Sequence, residues 1–108
     1  HHTRSFTYVD DIINSIYLII KNENREKFNT IFIIGGTEPV NLMNYIKLIE
    51  THLNMTAKIN FLPMQSGDVG NAEACSNKLN NHINYKPKTK VEDGIPKFNE
   101  GYRDYYKI

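Results

Sequence analysis

Arg4 opens a run, Arg4-Ser5-Phe6-Thr7-Tyr8-Val9-Asp10-Asp11, that leads straight into Ile12. An arginine where a strand turns into a helix can point a cation with a planar fork of donors at a bound anion. A second group, Gln65, Gly67 and Asp68, lies in Pro63-Met64-Gln65-Ser66-Gly67-Asp68-Val69, which no regular element can hold. Glycine there lets the backbone approach a ligand, and an aspartate can accept from both hydroxyls of a ribose. Other candidates are weaker. Asp10 and Asp11 take different headings on a helix and make no acid/base pair; one of them suits an N-cap. Cys75 has no His or Lys beside it and reads as a small buried residue rather than a nucleophile. His1, His2, His52 and His82 lack metal-ligand spacing.

The elements that must carry these groups follow from hydrophobic period. Residues 4–9 alternate as a short strand, and Ile12, Ile13, Ile16, Ile19 and Ile20 then form one helical stripe. Residues 22–27 are a polar turn. Phe28 and Thr30-Ile31-Phe32-Ile33-Ile34 predict a strand apolar on both faces, which implies burial between layers. Gly35-Gly36 ends it, without the later glycines of a dinucleotide-binding turn. A helix over about 41–54 puts Leu42, Tyr45, Ile46, Ile49 and Leu53 on one face, with Asn54 as a stop. Ala57 to Leu62 predicts a third strand. Beyond the 63–69 loop, Asn77 caps a short helix to Ile83. Thr89 and Glu92 have capping-box spacing ahead of a last helix marked by Val91, Ile95, Phe98, Tyr102 and Tyr105, with a bend at Pro96. The fold class is α/β: a small mixed sheet of short strands packed by about four helices, in one domain over 1–108.

Composition narrows the function. Hydrophobic content of 40% with 23% charged residues is that of a globular protein, and a net charge of +1 argues against a nucleic-acid partner. Lys86, Lys88 and Lys90 alternate in a turn and read as solvent-facing. The longest apolar run, Ile16 to Ile20, is too short for a membrane span. With one cysteine and no signal peptide, a reducing, cytoplasmic setting is expected.

R-S-F-T-Y-V-D-D-I resembles the R-[DS]-F-x-Y-V-D-D-I segment of extended short-chain dehydrogenase/reductases, the NAD-dependent nucleotide-sugar epimerases and dehydratases. L-P-M-Q-S-G-D-V is similar to that family's L-P-x-Q-P-G-D-V, in wording closest to UDP-glucuronate 4-epimerases. Gly35 to Leu42 resembles N-I-G-x-x-x-P-V-x-L, and Tyr85-Lys86-Pro87-Lys88 resembles G-Y-x-P-x-T with Asn84 for the glycine. His1-His2 fits either a tag remnant or the family's polar G-x-H-x-R lead-in. The resemblance implies that Arg4 contacts the diphosphate of a UDP-sugar, that Asp68 contacts its ribose, and that Gln65 lies nearby. It departs at Gly70, Glu73 and Cys75, where the family has proline, an aromatic or His, and aspartate, and at Gly101, where tryptophan is usual.

The family's chemistry belongs to a Rossmann half with NAD and a Tyr-x-x-x-Lys pair, for which this sequence holds no counterpart. Tyr17 and Lys21 match only the spacing. The resemblance therefore implies the substrate-binding part of a UDP-sugar 4-epimerase of polysaccharide precursor synthesis, inactive by itself. No catalytic residue, metal or bound NAD is expected in this chain. Self-association through the face meant for the other half is expected. The alternative is a stand-alone binding or dimerising module without turnover.

Overall fold

Strand β1 (Thr3–Arg4) sits at the centre of the small sheet. It pairs antiparallel with β2 (Val40–Asn41), Thr3 opposite Asn41 and Arg4 opposite Val40, and Thr3 also makes a parallel bridge to Asn71. Of the helices α1 (Val9–Lys21), α2 (Leu42–Leu53), α3 (Asn77–Ile83) and α4 (Val91–Tyr106), α2 follows β2 and packs against it, α4 packs on α2, and α3 on α1. This computed structural model describes residues 2–22, 30–36 and 38–108. His1, Phe28 and all of the expected polar turn except Asn22 lie outside the described residues.

Helix α2 forms where its asparagines bound it. The Asn41 side chain accepts from the Met43 N–H at 2.8 Å, and Asn54 closes the helix in the left-handed conformation, φ 54°. Asn84 ends α3 in the same way, φ 52°. Helix α4 packs on α2 and continues through Pro96 to Tyr106.

Three expectations fail on local grounds. The first strand shrinks to Thr3–Arg4, because the helix already begins at Val9 with Tyr8 at its N-cap; neither aspartate caps it. Asn77 is the first residue of α3 and not its cap, and the Ser76 hydroxyl instead bonds both the N–H and the carbonyl of Gly35. The Thr89–Glu92 box does not form: α4 starts at Val91 after Lys90, and the Thr89 N–H is given to Asp11.

The strands expected over 30–34 and 57–62 are absent among the described residues. A strand is held by its neighbour, and neither segment has one there. Ile31 is 81% exposed and Phe61 79%, so neither is buried between layers. Residues 31–34 lie instead along α3, with Phe32 stacked on His82 and Lys78 Nζ donating to the Ile31 carbonyl.

The hydrophobic interior is small. Leu79 and Ile95 are its buried apolar residues among those described, while Asp11, Ser15, Ser76 and Asn99 are buried polar ones. The radius of gyration is 16.8 Å, against about 13 Å for a compact chain of this length. Helix α1 shows why. Its inner face carries Asp11 and Ser15, and its outer face exposes Ile13, Ile16 and Ile20. The apolar stripe of α1 is therefore left largely uncovered.

Candidate functional site

Arg4 and Asp68, 64 positions apart, meet at one corner. The meeting is built from the backbone upward. The Thr3 N–H donates to the Gly70 carbonyl at 3.1 Å, and the Ala72 N–H returns a bond to the Thr3 carbonyl at 3.0 Å. The Thr3 hydroxyl adds a bond to Asn71 Oδ1, and the Ala74 N–H donates to the Ser5 hydroxyl. The end of the 63–70 loop is thereby laid beside β1. Arg4 Nη2 then reaches Asp68 Oδ1 at 3.0 Å, with both side chains part-exposed. Gly67 (φ +85°) makes the turn in the loop, and the Asp68 N–H closes it on the Gln65 carbonyl. Gln65, an exposed residue, sits at the mouth of that turn. Of the three residues singled out from sequence, two therefore touch, and the third is joined to them through the backbone.

A second polar centre went unread in the sequence. Asp11, 4% exposed, accepts from Tyr85 Oη at 2.9 Å, the Thr89 N–H at 2.9 Å and the Lys88 N–H at 3.3 Å. Burial pushes its carboxyl up, but the bonds from Thr89, Tyr85 and Lys88 outweigh it and hold the pKa below the ordinary 3.8. Burial, with the Asp11 carboxylate beside it, raises the Tyr85 phenol above 10.0, against a lowering contribution from Asn14. This network fastens the start of α1 to the turn before α4. Only its separation of 74 to 78 positions hid it.

The remaining candidates stand apart from chemistry. Tyr17 and Lys21 are exposed neighbours on α1, with the ammonium 5.9 Å from the ring centroid, as i, i+4 spacing alone dictates. Cys75 is exposed, not the buried small residue expected, because its neighbours Ala74 and Ser76 take the inward positions. Among the described residues no group of three His, Cys, Asp or Glu side chains could hold a metal. No described helix is long and apolar enough to cross a membrane.

Gly35 and Gly36 do not fit a dinucleotide cradle. A Cβ on Gly35 would collide with the Ala74 side chain and one on Gly36 with the Phe6 carbonyl, so both glycines serve close internal packing. The next helix in sequence begins only at Leu42, beyond β2, and Gly35 is bonded instead by the hydroxyl of Ser76 at the start of α3.

The arrangement has known counterparts. Over 88% of its length the chain is 43% identical to an uncharacterised protein of Methanocaldococcus jannaschii, of which it covers 28%. It is 33% identical to a probable UDP-glucuronate 4-epimerase of Rhizobium meliloti, over 97% of this chain and 36% of that protein. The UDP-glucuronic acid 4-epimerase of Bacillus cereus, crystallised with UDP-glucuronic acid and NAD, matches 98% of the chain with a TM-score of 0.80 and 27% identity; the match covers 32% of that structure. No protein-family profile matches the chain. The fold and the two joined motifs define part of an extended short-chain dehydrogenase/reductase. Within that class the chain belongs with the nucleotide-sugar epimerases, UDP-glucuronate 4-epimerases among them, and corresponds to their C-terminal part. It spans about a third of the length of these relatives.

Proposed function

We propose that this chain is the substrate-side part of a UDP-sugar 4-epimerase, with UDP-glucuronate as the sugar nucleotide and polysaccharide precursor synthesis in the cytoplasm as its setting. The observation that carries this reading is the junction of the Arg4 run with the Gln65–Asp68 loop, two motifs far apart in sequence that share one exposed corner. An arginine, a glutamine amide and a carboxylate at one edge are the groups that recognise a diphosphate and a ribose. In this reading the chain's own residues bind and orient the nucleotide. NAD and the proton-transferring groups belong to a Rossmann half, and the chain alone gives no turnover.

A chimera tests this. The chain replaces the homologous third of the Rhizobium epimerase, and conversion of UDP-glucuronate to its C4 epimer is followed. Activity is expected, with kcat/KM lowered roughly ten- to a hundredfold by Arg4→Ala or Asp68→Ala and unchanged by Lys86→Ala on the outer turn. A folded chimera that ignores Arg4 and Asp68, or responds equally to Lys86→Ala, would discard the assignment.

A second reading, a stand-alone binding or dimerising module, is favoured by the outer face of α1. Ile13, Ile16, Tyr17 and Ile20 are each roughly half exposed there, and Ile31 and Ile33 are exposed as well. Either reading predicts self-association of the isolated chain, since an uncovered apolar patch drives pairing. In sedimentation velocity at rising concentration the chain is expected to shift from monomer to dimer or larger. Ile16→Glu with Ile20→Glu should abolish the shift. A monomer at all concentrations would remove this face from the argument.

A further inference from the structure

A cleft of about 490 Å³ opens between the start of α1, Tyr45 of α2 and the length of α4. Sites that take small ligands enclose about 300–1,000 Å³, so a ring system with one side group fits it. None of Arg4, Gln65 and Asp68 lines it. Its walls are aromatic. Tyr8, Tyr45, Phe98 and Tyr102 contribute rings, and those of Phe98 and Tyr102 are exposed. Tyr102 is itself packed on Tyr106, with centroids 4.7 Å apart.

Gly101 keeps one wall open. Glycine is unfavourable in a helix interior, and it is often kept there to make room for a neighbour. Here nothing lies within 4 Å of where a Cβ on Gly101 would stand, so its missing side chain leaves the cleft bare instead. Charge is distributed as unevenly. Lys90 and Lys97 line the cleft and no aspartate or glutamate does, although the chain as a whole has 13 basic and 12 acidic residues. Lys97 Nζ is held at the wall, 5.4 Å from the centroid of the Tyr8 ring. Neither ammonium has a carboxylate partner among the described residues.

We propose that this cleft binds a small planar aromatic compound that carries a carboxylate. The ring lies against Phe98 and Tyr102, in the offset or edge-on packing that aromatic faces favour. The carboxylate meets the Lys97 ammonium in a charge-assisted bond. A neutral ring gains only the first contact, and a cationic one is repelled by both lysines. The site stands independently of the substrate reading, since it shares no residue with the corner of Arg4 and Asp68.

Three indoles that differ in charge test the proposal on the 108-residue chain. The chain contains no tryptophan, so indole fluorescence anisotropy reports the ligand alone. Indole-3-acetate is expected to bind saturably at one site, about tenfold more tightly than indole, with tryptamine weaker than either. Lys97→Gln should bring indole-3-acetate down to the level of indole and leave indole itself within about twofold. Gly101→Phe puts a ring into the cleft and should weaken indole-3-acetate roughly tenfold or more, with an unchanged far-UV circular dichroism spectrum. If Gly101→Phe does not fold, the Lys97→Gln comparison decides. Ile16→Glu with Ile20→Glu, on the apolar face of α1, should leave binding within about twofold. No saturable binding, equal affinity for the three indoles, indifference to Lys97→Gln, or loss of binding in the α1 variant would overturn the site. So would an affinity that falls as the chain is concentrated, the mark of a second copy filling the cleft.

Discussion

Asp11→Ala is expected to destabilise the chain by about 3 kcal/mol, enough to unfold a small domain at moderate temperature. The buried carboxylate takes bonds from Tyr85 Oη and from the N–H groups of Lys88 and Thr89, at a part-buried junction. Bonds to a charged acceptor contribute about 1.5–3 kcal/mol each, and removing the acceptor leaves three donors short of partners. Asp11→Asn keeps the shape and one acceptor oxygen, so roughly half that loss is expected. Urea denaturation at neutral pH measures both, and a loss under about 1 kcal/mol for the alanine variant would show that water replaces the carboxylate.

The same residue sets the pH profile. Its folded pKa lies below that of the unfolded chain, so its contribution is complete above the unfolded value near 3.8 and fades as pH falls through the lower folded value. Tyr85 has the opposite sign. Its folded pKa is raised above 10.0, so its contribution is complete below pH 10 and is lost as pH climbs through the folded value. Asp11→Asn should flatten the acid limb, and by removing the neighbouring negative charge it should also move the Tyr85 titration back down. NMR titration of the Tyr85 ring tests that second effect, and an unmoved ring would contradict the pairing.

What could be read in the sequence was local or carried by motif. Helix α2 was legible because Asn41 and Asn54 act on backbone groups within a few residues of themselves. The two site motifs were legible as patterns, but their junction depends on Thr3 bridging to Asn71, which no short window contains. The start of α1 was misplaced for a related reason. An aspartate before an apolar stripe is an N-cap when its side chain is unengaged, and Asp11 is committed to residues near the far end of the chain. Strands at 30–34 and 57–62 were read from β-rich composition, which reports fitness for a pleated neighbour and cannot supply one. Ile31 and Phe61 are instead turned to water.

Alanine at three glycines should give three different outcomes, of which Gly36→Ala is the most damaging. Its Cβ would be driven into the Phe6 carbonyl, with the carbonyl carbon at 2.7 Å. Relief would require Phe6 to move, yet its ring is stacked on Tyr45 at 4.0 Å and its backbone continues from β1 into the N-cap of α1. A backbone clash with no compliant partner costs about 3 kcal/mol or more, and here it would also loosen the strand that presents Arg4. Gly67→Ala meets nothing within 4 Å, but its φ of +85° is one that a side chain disfavours, so about 1 kcal/mol is expected. Gly101→Ala has open space around it on an exposed turn of α4 and should stabilise by up to about 1 kcal/mol through helix propensity. Thermal melts of the three variants check the order. If Gly36→Ala melted no lower than Gly67→Ala, the contact between the 35–36 segment and Phe6 would not be the close approach that joins the glycine pair to the strand carrying the site.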